Sequence, residues 1–386
     1  MARFFYVSPV DDPATILVRA SELADRCALS AGKPDIGARN LSLEFGWLRE
    51  AGFLAVPIPR EMGGKAWGIE PGTWRYLLRL LKIIGRGNLS VGRIYEGHIN
   101  ALQLILQWGR PQQIEAAAED VRNGCLFGVW NTESPNDGLT GTEVAGGVQR
   151  VRLSGAKTFA SGASILQRVF ANAMMPSGWQ MCLVPLDRVN VECDAASWQP
   201  LGMRATESIH VNFDEVELDR AALIGQPGDY NREPWFSGGA IRFAAVQLGG
   251  AEAIAEASRR FLQQERRIED PHQATRAGEI AALLETGDLW LEGAASRAEA
   301  AAAFPDELVA YAGLMRRTVE RIGLEVMEHA IRSSGARSLL RPDSLERLVR
   351  DLTMYLRQPA PDFVLERAGR FTLKSEKHFD TLWKRR

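Results

Sequence analysis

At 386 residues, with 46% apolar and 24% charged side chains, the chain has the composition of an ordinary folded protein and is long enough for two or three domains. A formal charge of -2 leaves no net basic field, which argues against duplex nucleic acid as a partner. No apolar run reaches the roughly eighteen residues of a membrane span, so no membrane partner is expected. The N-terminal MARFFYVSPVDDPA has too short an apolar patch for a secretory leader, which points to the cytoplasm.

Residues 1–123 are mostly helical in pattern. ATILVRASELADRCALSAG and TWRYLLRLLKIIGRG repeat apolar residues every three to four positions, and FLAVPIPREMGG between them reads as a loop. Residues 124–225 change to short β-rich runs, CLFGVW, VQRVRLSGAKTF, RVFANAMM, WQMCLVPL and IHVNFDEVEL, separated by turn residues. After GQPGDYNREP, a turn-rich linker, helical periodicity returns over residues 226–386. Helices, then strands, then helices predict an α+β multidomain chain. The four cysteines, Cys27, Cys125, Cys182 and Cys193, lack C-x-x-C spacing and read as buried thiols, with no metal site indicated.

Several stretches, taken in order, resemble the acyl-CoA dehydrogenase family. FGVWNTESP resembles that family's strand ending in T-E-P, GAKTFASGA its flavin loop, and WQPLGMRATESIHVNFDEVEL its L-G-x-R-x-T-x-S strand pair. VPIPREMGG and SLERLVRD resemble two further family motifs. The resemblance covers nearly the whole chain. It implies an N-terminal helical domain, a middle β-barrel-like domain, a C-terminal four-helix bundle and bound FAD. It also implies a homodimer or homotetramer acting on a small-molecule substrate, such as a CoA or other acyl thioester.

By the same resemblance Phe159 would flank the flavin ring, while Ser161 and Thr132 would hydrogen-bond its edge. Such donors tune the cofactor, which carries the chemistry itself. Leu139 lies in the loop that borders substrate and flavin in the family. Arg242 matches an arginine near substrate or flavin, with an ordinary salt-bridge role equally open. Arg267 falls roughly where an arginine reaches the FAD pyrophosphate of the neighbouring subunit.

Dehydrogenation of an acyl thioester also needs a carboxylate base. The family commonly places it eight residues beyond the aspartate of R-D, which here is Pro359 in RDLTMYLRQPAP; its second location is Ile241. Neither residue can take a proton, and loss of a base would cost a dehydrogenase roughly two to four decades in rate. Three readings follow: an FAD-dependent dehydrogenase with a displaced base, a flavin-dependent monooxygenase of the same fold, and a non-catalytic flavin-binding protein. Candidates for replacement acid-base work are Asp362, just past the missing base, and Glu96 with His98, which read as the mouth of a helix. Tyr355 stands where several of the monooxygenases have histidine.

Overall fold

The computed structural model describes residues 12–36, 40–144 and 149–384. The N-terminal apolar patch weighed as a leader lies outside the described residues. Helix α1 (Pro13–Ser30) begins where Asp12 accepts hydrogen bonds from the backbone N–H groups of Ala14 and Thr15, with Pro13 in the first turn. Short helices α2 (Gly32–Ile36) and α3 (Ser42–Glu50) follow, and then the amphipathic α4 (Trp74–Gly87), whose Leu77, Leu78, Leu80, Leu81 and Ile84 are buried. Asn88 caps the next helix, α5 (Leu89–Trp108), by accepting from Ser90 and Val91 N–H; α6 (Pro111–Arg122) completes the first helical stretch. Glu96 and His98 therefore sit two turns inside α5 and not at its mouth.

The strands are β1 (Phe127–Trp130), β2 (Thr140–Glu143), β3 (Arg150–Ser154), β4 (Ala156–Ala160), β5 (Arg168–Ala171) and β6 (Ala173–Met175). They continue with β7 (Gly178–Pro185), β8 (Glu192–Asp194), β9 (Ile209–Asn212), β10 (Val216–Asp219) and β11 (Leu223–Ile224). One sheet runs β1-β5-β7-β6-β2-β3-β10 with β11 on β7, and a smaller one runs β4-β9-β8. Neither path returns to its first strand, so the expected barrel is instead a pair of open sheets. The pairing of β4 with β9 shifts register between Lys157 and Ala160. At that irregularity Phe159 takes φ +53° and its ring is left 52% exposed, as a bulge that re-aims one side chain would do.

The remaining helices are α7 (Trp235–Gly238), α8 (Ala240–Gln264), α9 (Pro271–Glu299), α10 (Pro305–Ser334), α11 (Ser344–Tyr355), α12 (Pro361–Lys374) and α13 (Phe379–Leu382). Helix α8 packs chiefly against α4 and α10, and α10 also packs on α9 and α12. The α4–α8 approach needs glycine: a Cβ on Gly249 would collide with the Lys82 carbonyl. Of the four cysteines, Cys27 and Cys182 are buried as expected, Cys125 is partly covered, and Cys193 is exposed because β8 is an edge strand. Among the described residues no helix is long and apolar enough to cross a membrane.

Candidate active site

A cavity of about 520 Å³ opens where α5, the β1 end, α8, α10 and the α11–α12 junction meet. Its volume suits a small organic molecule or part of a cofactor. Glu96, Thr132, Phe159, Arg242 and Tyr355, five residues singled out in the sequence, all line it. They come from five separate stretches of chain, and only the fold brings them together.

The polar floor is an ion cluster. Glu96, 4% exposed, accepts from Arg93 Nη1 and from Arg242 Nε, each at 3.2 Å. Arg242 spends its other nitrogens on Gln103 Oε1 at 2.9 Å and Asn100 Oδ1 at 2.5 Å. A carboxylate shared by two guanidiniums has its oxygens engaged in charge-assisted hydrogen bonds. The other carboxylate of the cavity, Glu233, accepts from Arg367 at 2.6 Å and from both the N–H and the hydroxyl of Ser237. Neither cavity carboxylate is free to act as a base.

Pro359 and Ala360 form part of the wall, at the place where a dehydrogenase would carry its glutamate. Tyr355 stands beside them. Its ring is buried, and its hydroxyl, itself shut off from solvent, has no hydrogen-bond partner among the described residues. Burial pushes its pKa well above the ordinary phenol value. It is a neutral O–H whose proton no neighbour takes up.

On the sheet side, Phe159 meets Trp198 edge to face at 5.9 Å between ring centroids. The Ser161 N–H is spent on Phe159 O at 2.9 Å, so only its hydroxyl is available for the edge of a bound ring. That hydroxyl lies in a chain: Ser161 Oγ is 2.7 Å from Ser208 Oγ, which is 2.8 Å from Thr206 Oγ1, which donates to Met203 O at 2.8 Å. Each hydroxyl has one proton. With the last donated to a carbonyl, the satisfied arrangement runs Ser161 to Ser208 to Thr206, and Ser161 keeps only lone pairs on its outer side. The chain is anchored from α11, where Asp351 Oδ1 accepts from Met203 N at 2.6 Å and Arg350 pairs with Asp35 at 2.8 Å. The R-D pair thus ties the last helix to the hydroxyl chain.

Five expected site residues do not line the cavity: Ser161, whose contacts are given above, and four more. His98 is fully buried between α5 and the loop below it, with Nε2 donating to Leu54 O at 2.8 Å and Nδ1 accepting from Phe127 N at 3.1 Å. Both nitrogens are committed and burial lowers its pKa to about 4, so it is a neutral structural histidine, unfit for the acid-base role. Asp362 is exposed in the first turn of α12 and does not line the cavity, so it cannot replace the missing base there. Leu139 is fully buried in the core, its N–H on Glu133, away from any substrate. Arg267 is exposed between α8 and α9, 3.5 Å from Asp270, and outside the cavity.

Other lining residues went unnoticed in the sequence: Asn100, Asn131, Tyr230, Phe236, Phe243, Arg316 and Phe363. Tyr230 lies in the stretch read as a linker, where a 3₁₀ turn (Asp229–Asn231) buries it and burial pushes its hydroxyl up to about 12. No local signal set Arg316 apart, since it stands beside Arg317 and near Glu320 and Arg321 on the same helix.

Residues 241–357 match the family described as acyl-CoA dehydrogenase, C-terminal domain. A probable FMNH2-dependent monooxygenase, SfnC of Pseudomonas putida, is 26% identical over 96% of this chain and 98% of its own length. Among solved structures, the FMN- and indole-bound TdsC of Paenibacillus sp. A11-2 superposes with a TM-score of 0.84 at 21% identity, covering 96% of this chain and 99% of TdsC. Methanesulfinate monooxygenase MsuC of Pseudomonas fluorescens gives 0.80 at 24% identity, covering 95% and 99%. At such identities the structures speak for the fold alone. Residues 241–357 are thus similar to the acyl-CoA dehydrogenase C-terminal domain, and the chain as a whole shares the fold of these solved structures.

Proposed function

We propose that the protein is a flavin-dependent monooxygenase that takes reduced FMN and dioxygen to oxygenate a small organic molecule in this cavity. The observation that carries the reading is the state of the cavity's proton acceptors. Pro359 and Ala360 occupy the wall where a base belongs, and Glu96 and Glu233 are both tied to arginines. A dehydrogenase needs a free carboxylate there, whereas an oxygenase does not. The monooxygenase names of SfnC, TdsC and MsuC support the same choice over the thioester oxidation that the motifs first suggested. FMN, named for SfnC and TdsC, is favoured over FAD. Arg267, the expected pyrophosphate contact, is also already engaged by Asp270.

The residues present fit a flavin ring. Phe159 offers a half-exposed aromatic face on the cavity wall, and Ser161, two residues on and not itself a lining residue, keeps a hydroxyl lone pair unspent. That lone pair accepts from an N–H, which a reduced isoalloxazine carries at N5 and an oxidised one does not. The bound flavin would supply the electrons that activate dioxygen. The protein's own share is to hold the ring against Phe159, to keep the site dry with its aromatic wall, and to offer the Tyr355 proton to developing charge. Anaerobic mixing of flavin-loaded protein with saturated acyl-CoAs tests the choice. The flavin band should persist, and its bleaching would restore the dehydrogenase reading.

A further inference from the structure

We infer that the cavity takes an organic substrate bearing a compact oxyanion, a carboxylate, sulfinate or sulfonate, and that Arg316 is its anchor. The inference rests on reading the cavity as the substrate site. Its lining holds four guanidiniums, Arg93, Arg242, Arg316 and Arg367, against two carboxylates, Glu96 and Glu233. Arg242 and Arg93 share Glu96, and Arg367 takes Glu233. Arg316 is left without a carboxylate within ion-pair distance among the described residues. The nearest acid on its own helix, Glu320, is bound by Arg317 at 2.9 Å and Arg357 at 3.3 Å.

The surroundings of Arg316 are built, not merely open. Its guanidinium lies 5.7 Å from the centre of the Phe243 ring, and Nη2 donates to the Pro359 carbonyl at 2.5 Å. These contacts fix the group with one nitrogen and leave most of its five N–H donors unspent. The charge is half-buried, and the desolvation is uncompensated enough to lower its pKa. A neutral ligand closing the cavity would desolvate it further at a cost, whereas a planar or tetrahedral oxyanion would meet it with paired hydrogen bonds. Phe236, Phe243 and Phe363 supply the apolar wall for the organic body. The same chemistry could in principle serve the phosphate of the flavin, so the test has to separate the two.

The experiment measures binding, not turnover. Calorimetric titration of the full-length protein, with and without FMN, compares benzenesulfinate and benzoate with the neutral methyl phenyl sulfone. The anions should bind at least about tenfold more tightly than the sulfone in low salt. Arg316→Met should erase that preference, and Arg316→Lys should restore part of it. Affinities for FMN and riboflavin, followed by flavin fluorescence, should be unchanged by Arg316→Met. Equal binding of sulfone and anions, no anion binding, or an anion preference that survives Arg316→Met overturns the assignment. A selective loss of FMN over riboflavin affinity in Arg316→Met also overturns it, by giving the anion site to the cofactor's phosphate. Loss of binding of both flavins alike would instead count against the cavity as the flavin and substrate site.

Discussion

His98 offers a quantitative check of how this fold uses its buried polar groups. Its pKa falls from the ordinary 6.5 to about 4, because burial disfavours the imidazolium and both ring nitrogens already have partners. The unfolded chain therefore takes up this proton first as the pH drops. The contribution of His98 to stability is complete above the unfolded value and is lost as pH falls toward the folded one. Between about pH 7.5 and about pH 5 the loss from this residue alone should be about 2 kcal/mol. Urea unfolding of the wild type and of His98→Gln at both pH values isolates it, since other titrating groups cancel in the double difference. The glutamine variant should be less stable at neutral pH, yet lose about 2 kcal/mol less on acidification. Equal acid sensitivity in the two proteins would refute the neutral, locked histidine and reopen an acid-base role for it.

Removing the shared charge with Glu96→Gln should lower stability by about 3 kcal/mol, read in the same urea titration, because Arg242 is left buried without a counter-charge. Adding Arg242→Met should recover part of that loss. Ser208→Ala breaks the directed hydroxyl chain and frees the Ser161 proton. If Ser161 meets the flavin edge, the preference for reduced over oxidised FMN should fall about fivefold, measured as a shift in the reduction potential of the bound flavin. Ile268, Leu289, Leu373 and Phe379 are exposed apolar side chains on the C-terminal helical part. Analytical ultracentrifugation should accordingly find a dimer or larger, and a stable monomer that still binds flavin would argue against a shared interface.

The alternation of helices, strands and helices was legible because each stretch keeps one hydrophobic period, and the flavin-loop motif falls on β4 and the bend after it. The stretch around Pro359 was rightly singled out as part of the site, since Pro359 does reach the cavity wall. His98 was misjudged because α5 begins at Leu89, earlier than its apolar stripe suggested; polar residues inside a helix are uninformative until their partners are known. Those partners are Leu54 and Phe127, each tens of residues away. The Glu96–Arg242 pair spans 146 positions, and no local pattern encodes it. Leu139 occupies a motif position, but the open sheet turns it into the core. Local periodicity carried the elements, while the polar site depended on contacts between distant segments.

The oxygenase reading is tested most directly by the fate of dioxygen. Protein supplied with enzymatically reduced FMN, isotopically labelled dioxygen, catalase, and a panel of indole, dibenzothiophene and benzenesulfinate would be followed by mass spectrometry. The account predicts protein-dependent product carrying one labelled oxygen atom, diminished in Tyr355→Phe and unaffected by catalase. Labelled product that vanishes with catalase, or no labelled product alongside bleaching of oxidised flavin by an acyl-CoA, would contradict it.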